Sequence, residues 1–117
     1  MPPFILIVGD DARIRSILSD AFTRRGYRVD LAPDGRQALD HVAFDMPDVV
    51  VAPSAMEGMD GPSLVRRLRD GGQRVPVVLT GAAPGGGRLP GVQLVPDSCD
   101  VDRITGAVNL GLASQLA

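Results

Sequence analysis

Pro47-Asp48-Val49-Val50-Val51-Ala52-Pro53-Ser54-Ala55-Met56-Glu57-Gly58-Met59-Asp60-Gly61 is the stretch on which the reading of this chain turns. Asp48 to Ala52 has the length and apolar content of a buried strand, and Pro53 stands at its carboxyl end. Working outward, Phe4-Ile5-Leu6-Ile7-Val8 is a second continuous apolar run, ending at Gly9-Asp10-Asp11. Such a run fits a central parallel strand covered on both faces. Ile14, Ile17, Leu18, Ala21 and Phe22 repeat at helical spacing up to Gly26, a natural stop. Arg28-Val29-Asp30-Leu31-Ala32 alternates like a more exposed strand, and a short helix with Ala38, Leu39 and Val42 on one face begins near Gly35. Leu64, Val65 and Leu68 mark a third helix closed by Gly71-Gly72. Val75 to Thr80 and Val92 to Val95 read as two further strands. Val101, Ile104, Val108 and Leu112 form the stripe of a closing helix.

Strand and helix alternate throughout, which implies a doubly wound parallel sheet with helices on both faces. Ligands and chemistry in such sheets gather beyond the carboxyl ends of the strands. Residues 9–11, 53–57, 80–82 and 95–97 are therefore expected to converge. The connection 81–91 breaks the alternation, because its eleven residues include five glycines and two prolines. Relative to alanine, glycine costs a helix about 1 kcal/mol and interior proline about 3, so a loop is expected there.

Composition narrows the function classes. The chain has 117 residues, 44% of them hydrophobic, and a formal charge of −2, as for one ordinary globular domain over 1–117. Scattered basic residues and few aromatics argue against a nucleic-acid footprint. The lone Cys99 excludes an internal disulfide and fits a reducing, cytoplasmic setting. Met1-Pro2-Pro3 leads into a short apolar run without a basic segment or a long apolar stretch, so neither a signal peptide nor a membrane span is expected. All twelve basic residues are arginine. Without lysine there is no Schiff base, no P-loop ammonium and no lysine general base. One histidine, one cysteine and the single Glu57 leave few catalytic groups, so no enzymatic turnover and no cofactor is expected.

Several segments together resemble the receiver domains of bacterial two-component response regulators. Ile5 to Leu18 is similar to the receiver opening, with Arg15 on a family arginine that places Gly9 and Asp10 on the two acidic positions. Gly26-Tyr27-Arg28-Val29, Ala32 to Leu39, Gly58-Met59-Asp60-Gly61 and Pro76 to Thr80 match in order and spacing. The resemblance implies a flavodoxin-like sheet of order 2-1-3-4-5, with the fourth helix replaced by the Gly/Pro-rich loop. It also implies that Pro53 occupies the position of the phosphoacceptor aspartate.

Measured against that resemblance, the site is degenerate. Gly9 stands for the first acid, Pro53 for the acceptor, Val95 for the lysine and Val92 for the aromatic switch residue, whereas Asp10 and Thr80 are kept. Proline has no carboxylate. Mg²⁺ needs near-octahedral oxygen ligands, and Asp10, with Asp11 beside it, offers too few, so no bound metal is expected. Removing the lysine with the acids is self-consistent, because an unpaired ammonium in such a pocket is costly.

Plainer roles stand beside these. Asp10 and Asp11 read as solvated loop acids that cap the first helix, Thr80 as a satisfied strand-end hydroxyl and His41 as a surface residue. The matches on both sides leave no room for a shift that would make Ser54 the reacting group. The triple glycine 85–87 lacks the motif of a phosphate cradle. Loss of the fourth helix is expected either to uncover an apolar sheet face near Val77, Leu79, Val92 and Leu94, or to be compensated by the loop and Leu89 folding over it.

The resulting expectation is a phosphorylation-independent pseudo-receiver, a protein-interaction module in bacterial signal transduction. Its partner surface, for another protein or a second copy, is placed on the fourth crossover, fifth strand and closing helix. The alternative is a small-ligand module using the vacated pocket at the strand ends. The partner, the oligomeric state and any output domain after residue 117 are left open.

Overall fold

The computed structural model describes residues 2–81, 89 and 91–115. The two apolar runs become β1 (Phe4–Val8) and β3 (Val49–Pro53), which lie side by side in the middle of a five-stranded sheet. β2 (Arg28–Ala32) pairs with the outer side of β1, and β4 (Val77–Thr80) and β5 (Val92–Val95) follow β3. Every pairing is parallel, and the order is β2-β1-β3-β4-β5. This is the expected flavodoxin-like arrangement.

Four helices are present among the described residues: α1 (Ala12–Arg24), α2 (Gly35–Phe44), α3 (Gly61–Asp70) and α4 (Val101–Gln115). Three of them start in the same way. Asp11, Asp34 and Asp60 adopt extended backbone and accept amide hydrogen bonds from the first turn, as N-cap residues do. α1 stops two residues before Gly26, whose φ of 90° suits glycine, and α3 ends at the Gly71-Gly72 turn. No helix of the described residues is long and apolar enough to cross a membrane.

Strand side chains alternate between two half-cores. Leu6, Val8, Val50, Ala52, Val77 and Leu79 face α2 and α3, meeting Ala38, Val42, Leu64, Val65 and Leu68. Ile5, Ile7, Val49, Val51, Val78 and Val95 face α1 and α4, meeting Leu18, Phe22, Ile104 and Val108. Period-2 alternation in the central strands thus supplies both layers, and helical periodicity supplies the lids.

The expected loop over 81–91 falls mostly on residues 82–88 and 90, outside the described residues. Its two described landmarks are placed. Leu89 packs against the α2/α3 half-core, and the Gly91 carbonyl accepts from the Val77 amide at 3.0 Å.

The expected apolar face needs correction. Val77 and Leu79 are fully buried, because α3 and Met59 already cover β4 on that side. Only the β5 edge remains open, with Val92 half-buried and Leu94 at 44% exposure. The candidate interaction surface therefore shrinks to Leu89, Val92 and Leu94.

Candidate functional site

The carboxyl ends of β1, β3 and β4 meet at a cavity of about 210 Å³. Gly9, Asp10 and Asp11 line it from the β1–α1 loop, Pro53 and Ala55 from the end of β3, and Thr80 from the end of β4. Ile14, Leu18 and Arg15 of α1 close one wall, and Ser98 another. Of the segments expected to converge, residues 9–11, 53, 55 and 80 line this cavity, whereas 54, 56–57, 81 and 95–97 do not, and 82 lies outside the described residues.

Proline fits at the tip of a central strand for a specific reason. Val50 and Ser54 donate to the Pro76 and Thr80 carbonyls, at 2.9 and 2.7 Å. Residues of a parallel strand address alternate neighbours, so an amide at residue 53 would face β1. The β1–β3 register ends at Ile7↔Val51, as it must where a residue facing β1 has no N–H to donate. The ring lies beside Gly9, where a Cβ would sit 3.6 Å from the Pro53 Cδ. Two uncharged residues thus abut at the tip.

The surviving polar groups are engaged with the backbone. Asp11 caps α1, its carboxylate accepting from the Arg13 and Ile14 amides at 2.9 and 3.3 Å. Asp10 does not share that cap. It reaches across the tip and accepts from the Glu57 amide at 3.1 Å, tying the β1–α1 loop to the β3–α3 loop. The Arg15 guanidinium donates to the Gly9 carbonyl. Thr80 is buried, its carbonyl holding Ser54 and its side chain lining the cavity. Val95 is buried in the α1/α4 half-core instead of lining the cavity, and its carbonyl accepts from Gly81 at 2.9 Å. Ser54 is also buried and lies outside the cavity lining.

This donor set does not fit Mg²⁺. One carboxylate at the tip spans two loops, the other caps a helix, and Gly9, Pro53 and Val95 bring no oxygen side chain. Among the described residues, no three His, Cys, Asp or Glu side chains are grouped as a metal site.

The β3–α3 loop is pinned just beneath the tip. The Gly61 amide donates to the Ser54 carbonyl at 2.9 Å, and a Cβ on Gly61 would fall 2.5 Å from the Pro53 carbonyl oxygen. Only glycine permits that approach. Asp60, the α3 cap, accepts from the Ser63 amide at 2.8 Å. Hydrogen bonds from the Ser63 side chain and amide hold its carboxyl below the usual carboxylate range.

His41 departs from expectation. It is half-buried, packs against the Phe4 ring at 5.8 Å between centroids and places Nε2 3.3 Å from Asp30. Its Nδ1 is buried without a partner among the described residues. The polar side of α2 borders β2, so that side is a packed seam instead of open surface.

Ser98 and the reach of Arg15 to Gly9 went unread in the sequence. Ser98 follows β5 with no motif to mark it. Arg15 stood only as an alignment landmark, although an arginine one turn into α1 could have been read as a clasp for the loop behind it.

Comparisons with known proteins agree with this geometry. A family model for the response regulator receiver domain matches residues 5–84. The response regulator MprA of Mycolicibacterium vanbaalenii is 43% identical over 79 residues, covering 68% of this chain and 34% of that protein. The chain thus spans about a third of the length of the curated relatives it matches. Among solved structures, the Francisella response regulator 1452 receiver domain has a TM-score of 0.85 at 25% identity, over 97% of this chain and 98% of that one. The receiver domain of the hybrid histidine kinase CckA has a TM-score of 0.78 at 29% identity, over 93% and 98%.

Proposed function

This chain belongs to the response regulator receiver domain family, and from that premise we propose that it is a pseudo-receiver that signals without being phosphorylated. Receiver domains are signalling modules that interact with proteins such as kinases and effectors. The observation that carries the finer reading is Pro53, an uncharged ring at the tip of β3 beside Gly9, with Asp10 already bound to the Glu57 amide. A phosphoryl group has no acceptor at that place, and the metal that would neutralise it has no ligand set. The domain works in this reading as a cytoplasmic binding module over residues 1–117, with no turnover and no cofactor. Leu89, Val92 and Leu94, along the β5 edge, are its partner surface.

The test is exposure to acetyl phosphate with Mg²⁺, read by intact mass. No phosphoryl adduct is expected on the native chain. The triple variant Gly9→Asp, Pro53→Asp, Val95→Lys is expected to acquire one. Any phosphoryl adduct on the native chain overturns the reading.

The cavity itself supports a second, narrower reading. Its walls are mostly apolar or neutral, and its volume of about 210 Å³ lies below the roughly 300–1,000 Å³ of ordinary ligand pockets. A ligand of only a few heavy atoms fits there. Thermal shift against a fragment set tests it, since a bound ligand raises the midpoint by mass action.

A further inference from the structure

A second cavity lies at the amino end of the sheet, where β4 and β5 begin. Arg66, Arg69, Asp70 and Arg74 line it together with Leu89 and Gly91, around a volume of about 570 Å³. That volume lies within the usual range for small-molecule sites. Residues 61–75 carry four arginines against one aspartate, in a chain whose formal charge is −2. Among the described residues, Arg66, Arg67 and Arg74 form no ion pair within 4.0 Å.

We propose that this pocket binds a small, hydroxyl-bearing phosphate monoester, held by Arg66, Arg69 and Arg74. The proposal does not rest on the silent strand tip, from which the pocket is separated by the length of α3.

Three features support it. The first is charge. Three arginines and one aspartate line the cavity, and a phosphate monoester carries about −1.5 to −2 at neutral pH. Guanidiniums also present forked donors that match phosphate oxygens in pairs. The second is preorganisation. Arg69 is half-buried and donates from Nη1 to the Gln73 carbonyl at 3.0 Å. Gly91, at φ +70°, lets the same guanidinium come so close that a Cβ would lie 2.9 Å from Nη2. Burial and the neighbouring charge of Arg74 lower the Arg69 pKa, as expected where like charges gather. The third is Asp70, which would repel a bare anion but can accept from a ligand hydroxyl, while Leu89 offers an apolar wall.

A structural explanation competes with this one: basic residues in a last turn compensate the helix dipole. It covers Arg67 and Arg69 only. Arg66 precedes that turn and Arg74 follows the helix. The terminal carbonyls of Arg67, Leu68 and Arg69 already accept from Gly71, Gln73 and Gly72 at 2.8–3.1 Å.

The experiment is an amide-resolved NMR titration of the whole chain at low ionic strength, with ribose-5-phosphate as probe and ribose and inorganic phosphate as comparisons. Saturable shifts are expected at residues 66–74 and Gly91, with ribose-5-phosphate binding more tightly than either comparison. Arg66→Ala with Arg74→Ala, both exposed positions, is expected to weaken binding by about tenfold or more. Arg103→Ala, an exposed arginine on α4, is expected to bind like the native chain. No saturable shift at the pocket, an unchanged affinity in the double variant, or an equal loss in Arg103→Ala overturns the proposal. Tighter binding of a phosphoserine peptide also overturns it, by assigning the arginines to protein docking.

Discussion

The two edges of the sheet are opposites. At the carboxyl ends, the tip residues are Gly9, Pro53 and buried Val95, and Asp10 and Asp11 are engaged with backbone amides. At the amino ends of β4 and β5, three arginines surround an open cavity. The difference teaches that charge and framework are placed independently: the same sheet carries an almost neutral end and an arginine-rich one. The β2-β1-β3-β4-β5 order needs only alternating apolar strands, capped helices and a few close-packed glycines. It does not need the tip's chemistry.

That contrast can be broken or sharpened by substitution. The largest effect is expected at Leu68, fully enclosed beneath the arginine end of α3. Leu68→Ala should cost about 2–5 kcal/mol, measured by denaturant unfolding. Leu18→Ala should fall at the low end of that range, because Leu18 already borders the tip cavity and loses fewer contacts. Equal losses at the two leucines would erase the difference between the edges.

Gly61→Ala comes next, at about 1–3 kcal/mol, since its methyl would press on the Pro53 carbonyl and Leu79. The fall in midpoint should come with shifted resonances at Pro53 and Ser54. A silent Gly61→Ala would mean that the β3–α3 loop is not pinned at the tip.

Asp60→Ala should cost about 1 kcal/mol by removing the α3 cap. The pH dependence has a definite sign. Ser63 lowers the folded carboxyl below its unfolded value of about 3.9, so the contribution is fully present above that pH. It is lost as pH falls through the folded value. Asp60→Asn should therefore flatten this part of the acid unfolding curve.

The smallest effect is expected at Gly9. Its Cβ would meet the Pro53 ring at ordinary contact distance, so Gly9→Ala should stabilise by about 0.4–1 kcal/mol through the unfolded chain. A loss there would mean that the tip is more tightly packed than its cavity suggests.

The framework was legible because its signals are local. The runs 4–8 and 49–52, the stops at Gly26 and Gly71-Gly72, and the stripe of α4 each lie within one segment. The tip was legible through spacing, which placed Asp10, Pro53 and Thr80 at strand ends, and the structure brings them together around one cavity. What could not be read depends on how distant segments dock. Whether Val77 and Leu79 are open or covered is undecided at that level, because the sequence does not say how far α3, Met59 and Leu89 spread over β4. His41 looked peripheral because its seam with β2 joins residues far apart along the chain. The arginine pocket draws on α3, the turn after it and the start of β5, so no single motif contains it.

The sheet also acts as a partition. Phe22 and Leu68 lie on opposite sides of it, each enclosed by its own helices. Perturbations that share no neighbours sum independently. Evolution, or an engineer, can thus remodel the α1/α4 side without retuning the other, which gives this small protein two nearly autonomous compartments for change.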